Sequence, residues 1–152
     1  MLEIAGAPAF TAARLEKRLS SIRQRNPGVR EIAAVFAHFV DVAAPLEAAA
    51  RAVLERLLRY GPRATAEPPR AQPQLRLLVV PRLGTISPWS SKATDIARSC
   101  GLGQVRRIER GIWYTVAGDV GDAPALRRAL HDRMTESVLD RADDAARLFA
   151  RA

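Results

Sequence analysis

An α+β fold is predicted: two β-α-β-α halves packed as a pseudo-dimeric two-layer sandwich. Three observations in the 152-residue sequence point to it. Strand and helix patterns alternate twice in the same order. A proline-rich segment with four prolines between Pro62 and Pro73 separates the two series, and proline at that density neither propagates a helix nor sits inside a sheet. Each half alone exposes one face of a small sheet, so the halves pack together. The first half spans 1–61, an extended, exposed linker 62–74 and the second half 75–140.

The elements follow in order. A short strand opens the chain at Leu2 to Ala5. Thr11 can cap a helix that carries Leu15, Leu19 and Ile22 on one face, and Asn26-Pro27-Gly28 stops it. Val29 to Val42 reads as a long strand apolar on both sides, hence covered on both. Pro45 starts a second helix, with Ala50, Val53, Leu54, Leu57 and Leu58 inward until Gly61. The second half repeats the order. Leu75 to Val80 is a strand, and Lys92 to Cys100 a helix closed by Gly101. Val105 to Val116 is a long strand or a pair of strands, with Gly111 the expected place of a bend. Asp122 and Pro124 introduce a helix bearing Leu126, Ala129, Leu130 and Met134. Glu136 to Leu139 forms an edge strand, and the chain turns helical again from Asp143.

Composition removes several classes of function. No stretch approaches the roughly 18 apolar residues of a membrane span, and Met1-Leu2-Glu3-Ile4 lacks the basic start of a secretory signal. The lone cysteine, Cys100, forms no internal disulfide, suits a reducing cytoplasm and reads as a small core residue. The net charge of +8 is spread along the chain: nine basic residues against six acidic through Gly61, fifteen against ten beyond it. Nucleic acid and the acidic surface of a larger protein both fit that excess.

Catalytic and metal-binding signatures are absent. His38 and His131 are the only histidines, without the close ligand pairing a metal needs. His38 reads as a buried, hydrogen-bonded residue in mid-strand, and His131 as bonding to a neighbouring element. Ser87, Ser90 and Ser91 have no nucleophile elbow around them, and no phosphate-loop motif occurs. Arg110-Gly111-Ile112-Trp113-Tyr114-Thr115-Val116 only partly matches an RNA-binding strand, because adjacent aromatics point to opposite faces. No catalytic, cofactor or metal residue is expected, and neither nucleic acid nor a membrane is the expected partner. A small basic RNA-binding module, or a stand-alone binder of a phosphorylated ligand, is the alternative.

One loop is denser in chemistry than any other stretch. Pro81-Arg82-Leu83-Gly84-Thr85-Ile86-Ser87-Pro88-Trp89-Ser90-Ser91-Lys92-Ala93-Thr94-Asp95-Ile96 packs hydroxyls, prolines, a glycine, a Trp and one of two lysines between a strand and a helix. Ser90 or Ser91 can cap that helix, whose N-terminus favours an anion. Two readings stand: a rigid turn anchored by Trp89, or a loop that contacts a phosphate or a partner.

The same run resembles the N-terminal region of the large, single-chain phosphoribosylformylglycinamidine synthase family. Agreement in order and spacing extends to His38-Phe39, Ala44-Pro45-Leu46, Leu57-Leu58-Arg59-Tyr60-Gly61-Pro62, Arg107-Ile108-Glu109-Arg110-Gly111 and Leu130-His131-Asp132-Arg133-Met134-Thr135-Glu136. The resemblance implies a domain like a fused dimer of the small subunit found in split versions of the enzyme. It implies a parent ligase of purine biosynthesis, a cytoplasmic glutamine amidotransferase that uses ATP and magnesium. Those cofactors belong to its synthetase and glutaminase domains, which are the implied partners, and 141–152 is then the start of a connection to them. This chain alone is expected to be an inactive, architectural piece. Arg82, Thr85, Ser87, Trp89, Ser90, Ser91 and Lys92 are the candidate substrate-side or interdomain contacts, with Arg82 and Lys92 the expected polar ones.

Overall fold

A computed structural model describes residues 1–60 and 68–150. In order the elements are β1 (Leu2–Pro8), α1 (Ala12–Arg23), β2 (Val29–Val42), α2 (Ala48–Leu57), β3 (Gln74–Pro81), α3 (Pro88–Ser99), β4 (Val105–Gly118), α4 (Ala123–Leu130) and β5 (Glu136–Leu139), followed by a 3-10 helix (Ala142–Phe149). The five strands form one antiparallel sheet in the order β1-β2-β4-β3-β5. The fold is α+β, and the halves join edge to edge through β2 and β4, each 14 residues long. The spacing repeats: α1 starts at 12 and α3 at 88, β2 at 29 and β4 at 105, so both pairs lie 76 residues apart.

Alternation along the paired strands assigns the two faces. Ile32, Ala34 and Tyr114 lie in a cluster with Ile22 of α1 and Leu126 and Leu130 of α4. Ile4, Val40 and Ile108, on the same face, pack with Leu54 of α2 and Ala97 of α3. All four α-helices therefore cover one face in two pairs. On the other face Ala37, Phe39, Leu78 and Val80 meet Ala145 and Leu148 of the 3-10 helix. The β2 strand is covered on both sides, as its two apolar edges require.

Several boundaries differ from the sequence expectation, each for a local reason. The second helix starts at Ala48 and not at Pro45, because Leu46 and Glu47 stay outside the helix while Leu46 packs into the apolar cluster. The third helix starts at Pro88, four residues before Lys92. Its cap is Ser87, neither Ser90 nor Ser91, and proline at the first helical position needs no N–H partner. Gly111 makes no bend, since the β2–β4 register runs through it without a shift. It answers a close approach instead: a Cβ there would stand 3.0 Å from the Val79 carbonyl oxygen. Met134 lies beyond the fourth helix, 70% exposed on a turn in which the Asp132 carboxylate accepts from the Met134 N–H. His131 bonds not a neighbouring element but the Arg127 carbonyl of the helix it ends, to which its Nδ1–H donates. Cys100 is exposed, not a core residue. The final helical segment is 3-10.

Residues 62–67 of the expected linker lie outside the described residues; 68–73 form no helix or strand, and Gln74 already belongs to β3. The linker's far end is tied down: the Glu31 carboxylate accepts from the N–H groups of Arg70 and Ala71 at 3.3 and 2.9 Å.

Candidate functional site

β3 stops pairing with β4 at Val79–Ile112, which leaves the first part of β4 without a strand on that side. Hydroxyls of α3 take the strand's place. Ser90 Oγ donates to the Ile108 carbonyl at 2.6 Å, and Thr94 Oγ1 accepts from the Ile108 N–H at 3.0 Å. Both side chains are buried, and both main-chain groups would otherwise lack a partner on that edge. Ser87 closes the turn of the helix, accepting from Ser90 N and donating to Glu109 Oε1, each at 3.0 Å.

Glu109 is fully buried and also paired with Arg107. Arg107 in turn donates to the Thr85 carbonyl at 2.9 Å and the Leu148 carbonyl at 2.7 Å. One ion pair with a buried carboxylate thus ties together the motif loop, β4 and the 3-10 helix. Gly84, at φ +89°, supplies the left-handed turn inside that loop.

On the helix-bearing face the next residue, Arg110, sits in an aromatic enclosure. Its guanidinium carbon lies 4.4 Å from the ring centre of Phe36, 4.7 Å from Trp89 and 5.8 Å from Tyr60, within the range of cation–π attraction. Arg110 Nη1 donates to the Tyr60 hydroxyl oxygen at 3.2 Å. His38 stands behind: its Nδ1 meets the Ile4 carbonyl at 3.2 Å, so Nδ1 carries the proton and Nε2 accepts from Tyr60 Oη at 2.5 Å. Gly6 makes room for this ring, because a Cβ there would approach His38 Cε1 to 2.6 Å. Burial, with Arg110's charge as a lesser cause, lowers the His38 pKa to about 4 against the Ile4 bond, and burial raises that of Tyr60.

Phe36, Trp89 and Arg110 border a cavity of about 490 Å³, with Tyr60 and His38 behind them. Phe36, Arg110 and Ile112 belong to its strand floor, Trp89 to one wall and Glu136 to another; Ile86 and Met134, 64% and 70% exposed, stand on its rim. Of the candidates from the sequence, Arg82, Thr85, Ser87 and Trp89 line it. Ser90 is buried beneath it, while Ser91 and Lys92 are exposed on α3 and do not line it. Phe36, Tyr60, Glu109 and Arg110 were not among the candidates. For Tyr60, Glu109 and Arg110 the signal was present, since they belong to the runs Leu57–Pro62 and Arg107–Gly111, which meet Pro81–Ile96 and Leu130–Glu136 at this one place; Phe36 lies in no such run.

Elsewhere, Tyr114 is buried and bonded to Arg18, while Trp113 lies on the opposite face against Arg76 and Glu3. The two rings form no shared stacking platform for bases. Among the described residues no three His, Cys, Asp or Glu side chains lie together to hold a metal ion, and no helix is long and apolar enough to cross a membrane.

The match to known families runs over residues 35–149, from within β2 to the end of the 3-10 helix, and includes every residue that lines the cavity. By that match, over most of its length, the chain belongs to the formylglycinamide ribonucleotide amidotransferase N-terminal family.

Proposed function

We propose that this domain is the non-catalytic, architectural part of phosphoribosylformylglycinamidine synthase, the cytoplasmic enzyme that converts formylglycinamide ribonucleotide to formylglycinamidine ribonucleotide. The cavity face docks on the synthetase domain of the same enzyme and helps its active site and ammonia path to form. ATP, magnesium and glutamine are handled by the synthetase and glutaminase domains. The observation that carries this reading is convergence: three runs far apart in sequence line one apolar cavity, a fourth supplies Tyr60 to the arginine on its floor, and the rim residues Ile86 and Met134 are turned to solvent. Exposed apolar side chains gathered at one place mark an interaction surface.

The two halves are read as a fused pseudo-dimer. The 76-residue spacing of both α1/α3 and β2/β4, and the symmetric strand order β1-β2-β4-β3, support it.

Placing Ile86→Glu and Met134→Glu together in the intact enzyme tests the docking. Glutamine-dependent synthesis is expected to fall at least about tenfold, with the melting temperature of the 152-residue chain within about 2 °C of the parent. Unchanged kinetics would reject the docking face. Arg82→Ala and Lys92→Ala then map its polar contacts: Arg82 lines the cavity, and an effect of Lys92 would extend the contact along α3.

A further inference from the structure

Resting on that docking reading, we propose that Arg110 receives a carboxylate side chain carried on an apolar segment of the docked domain. Arg51, Arg106, Arg107, Arg127 and Arg141 each have an acidic partner within 4 Å, but among the described residues Arg110 has none. It is nevertheless held in place. Phe36 and Trp89 lie against the guanidinium, and the Tyr60 hydroxyl accepts from Nη1. Nε and Nη2 have no partner among the described residues, and this edge of the fork offers two parallel N–H groups to the two oxygens of one carboxylate.

The position 76 residues earlier shows that packing does not require this arginine. Ala34 stands there, buried in the cluster on which Phe10 and Leu15 pack. The sheet is closed over at Ala34 and opened at Arg110. Of these two equivalent positions, only the second carries a cation and lines the cavity.

The surroundings select the class of anion. Val79, Ile86, Ile112 and Met134 line the same cavity as Arg110, which suits a carboxylate flanked by apolar side chains. Arg82 and Arg110 against Glu136 leave the cavity lining one net positive charge, which matches a single carboxylate and not a phosphate dianion. An open groove with solvent-facing rim residues fits a chain segment better than a small ligand, which needs enclosure over most of its surface.

The test uses the 15N-labelled 152-residue chain, observed at the Trp89 indole N–H and the Arg110 Nε–H. The probes are acetyl-Leu-Glu-Leu-amide, its glutamine counterpart and inorganic phosphate. The glutamate peptide is expected to shift both signals saturably, at about one-tenth or less of the concentration the glutamine peptide needs. In Arg110→Gln that preference disappears, and Arg110→Lys, which keeps the charge but not the fork, restores only part of it. Equal response to the two peptides, no response to any probe, or saturation by phosphate below the glutamate peptide's concentration overturns the assignment. Loss of activity in the rim variants together with any of those results rejects the carboxylate and leaves the docking in place.

Discussion

His38 is enclosed on β2 with both ring nitrogens bonded, and the cost of charging it there holds its pKa at about 4, against 6.5 for an unburied histidine. Between those two values the unfolded chain binds the proton and the folded chain does not. Stability is therefore full above pH 6.5 and declines as the pH falls towards 4, by on the order of 3 kcal/mol from this residue. Urea titrations between pH 4.5 and 7.5 are expected to show that slope in the parent and a shallower one in His38→Gln; equal slopes would remove His38 as its source. The residue is legible in the sequence as a buried histidine, because it sits mid-strand between apolar neighbours. Its partner Tyr60 is not, since nothing local places a residue 22 positions away beside it. Arg110 is hidden for a related reason: in Arg106-Arg107-Ile108-Glu109-Arg110 nothing separates an enclosed arginine from its neighbours until β4's two faces are known. Removing Glu109 tests the companion pair. Glu109→Ala leaves Arg107 without its carboxylate in a half-buried setting, and a loss of about 3 kcal/mol or more in unfolding free energy is expected.

At the scale of the element, α3 does what a strand does elsewhere in the sheet. Ser90 and Thr94 bond the Ile108 carbonyl and N–H on the side that β3 no longer reaches. Thr94→Val keeps the shape and leaves the Ile108 N–H unpaired, so it is expected to cost about 1–3 kcal/mol. Ser87→Ala removes a helix cap and a bond to buried Glu109 together, at about 2 kcal/mol. Ser91→Ala and Lys92→Ala, on the exposed side of the same helix, are expected to stay within about 0.5 kcal/mol. Thermal melts of the four variants decide it, and four equal values would mean that the helix merely lies against β4. Strand positions were largely legible from alternation and helix ends less so. The serine that caps α3 precedes a proline, and that proline reads as loop when the serines after it compete for the same role.

Across the whole molecule, the seam between halves is the β2–β4 pairing, in continuous register from Glu31–Ala117 to Asp41–Arg107. A protease site engineered within residues 61–67 is expected to yield two fragments that elute together at the parent's volume and part only in denaturant. Separation in native buffer would show that the connection, and not the sheet, holds the halves. The α+β class and the repeated order of elements were readable from the sequence, but joining edge to edge was not, since apolar strands suit a neighbour beside them as well as a layer above. The 76-residue spacing has a genetic consequence. In a pair of identical chains any substitution appears on both sides of the axis, so a cation useful on one side must be tolerated on the other. Here Ala34 and Arg110 have separate codons. One half can keep its small residue under Phe10 while its counterpart changes freely, and selection can act on one groove without disturbing its mirror position.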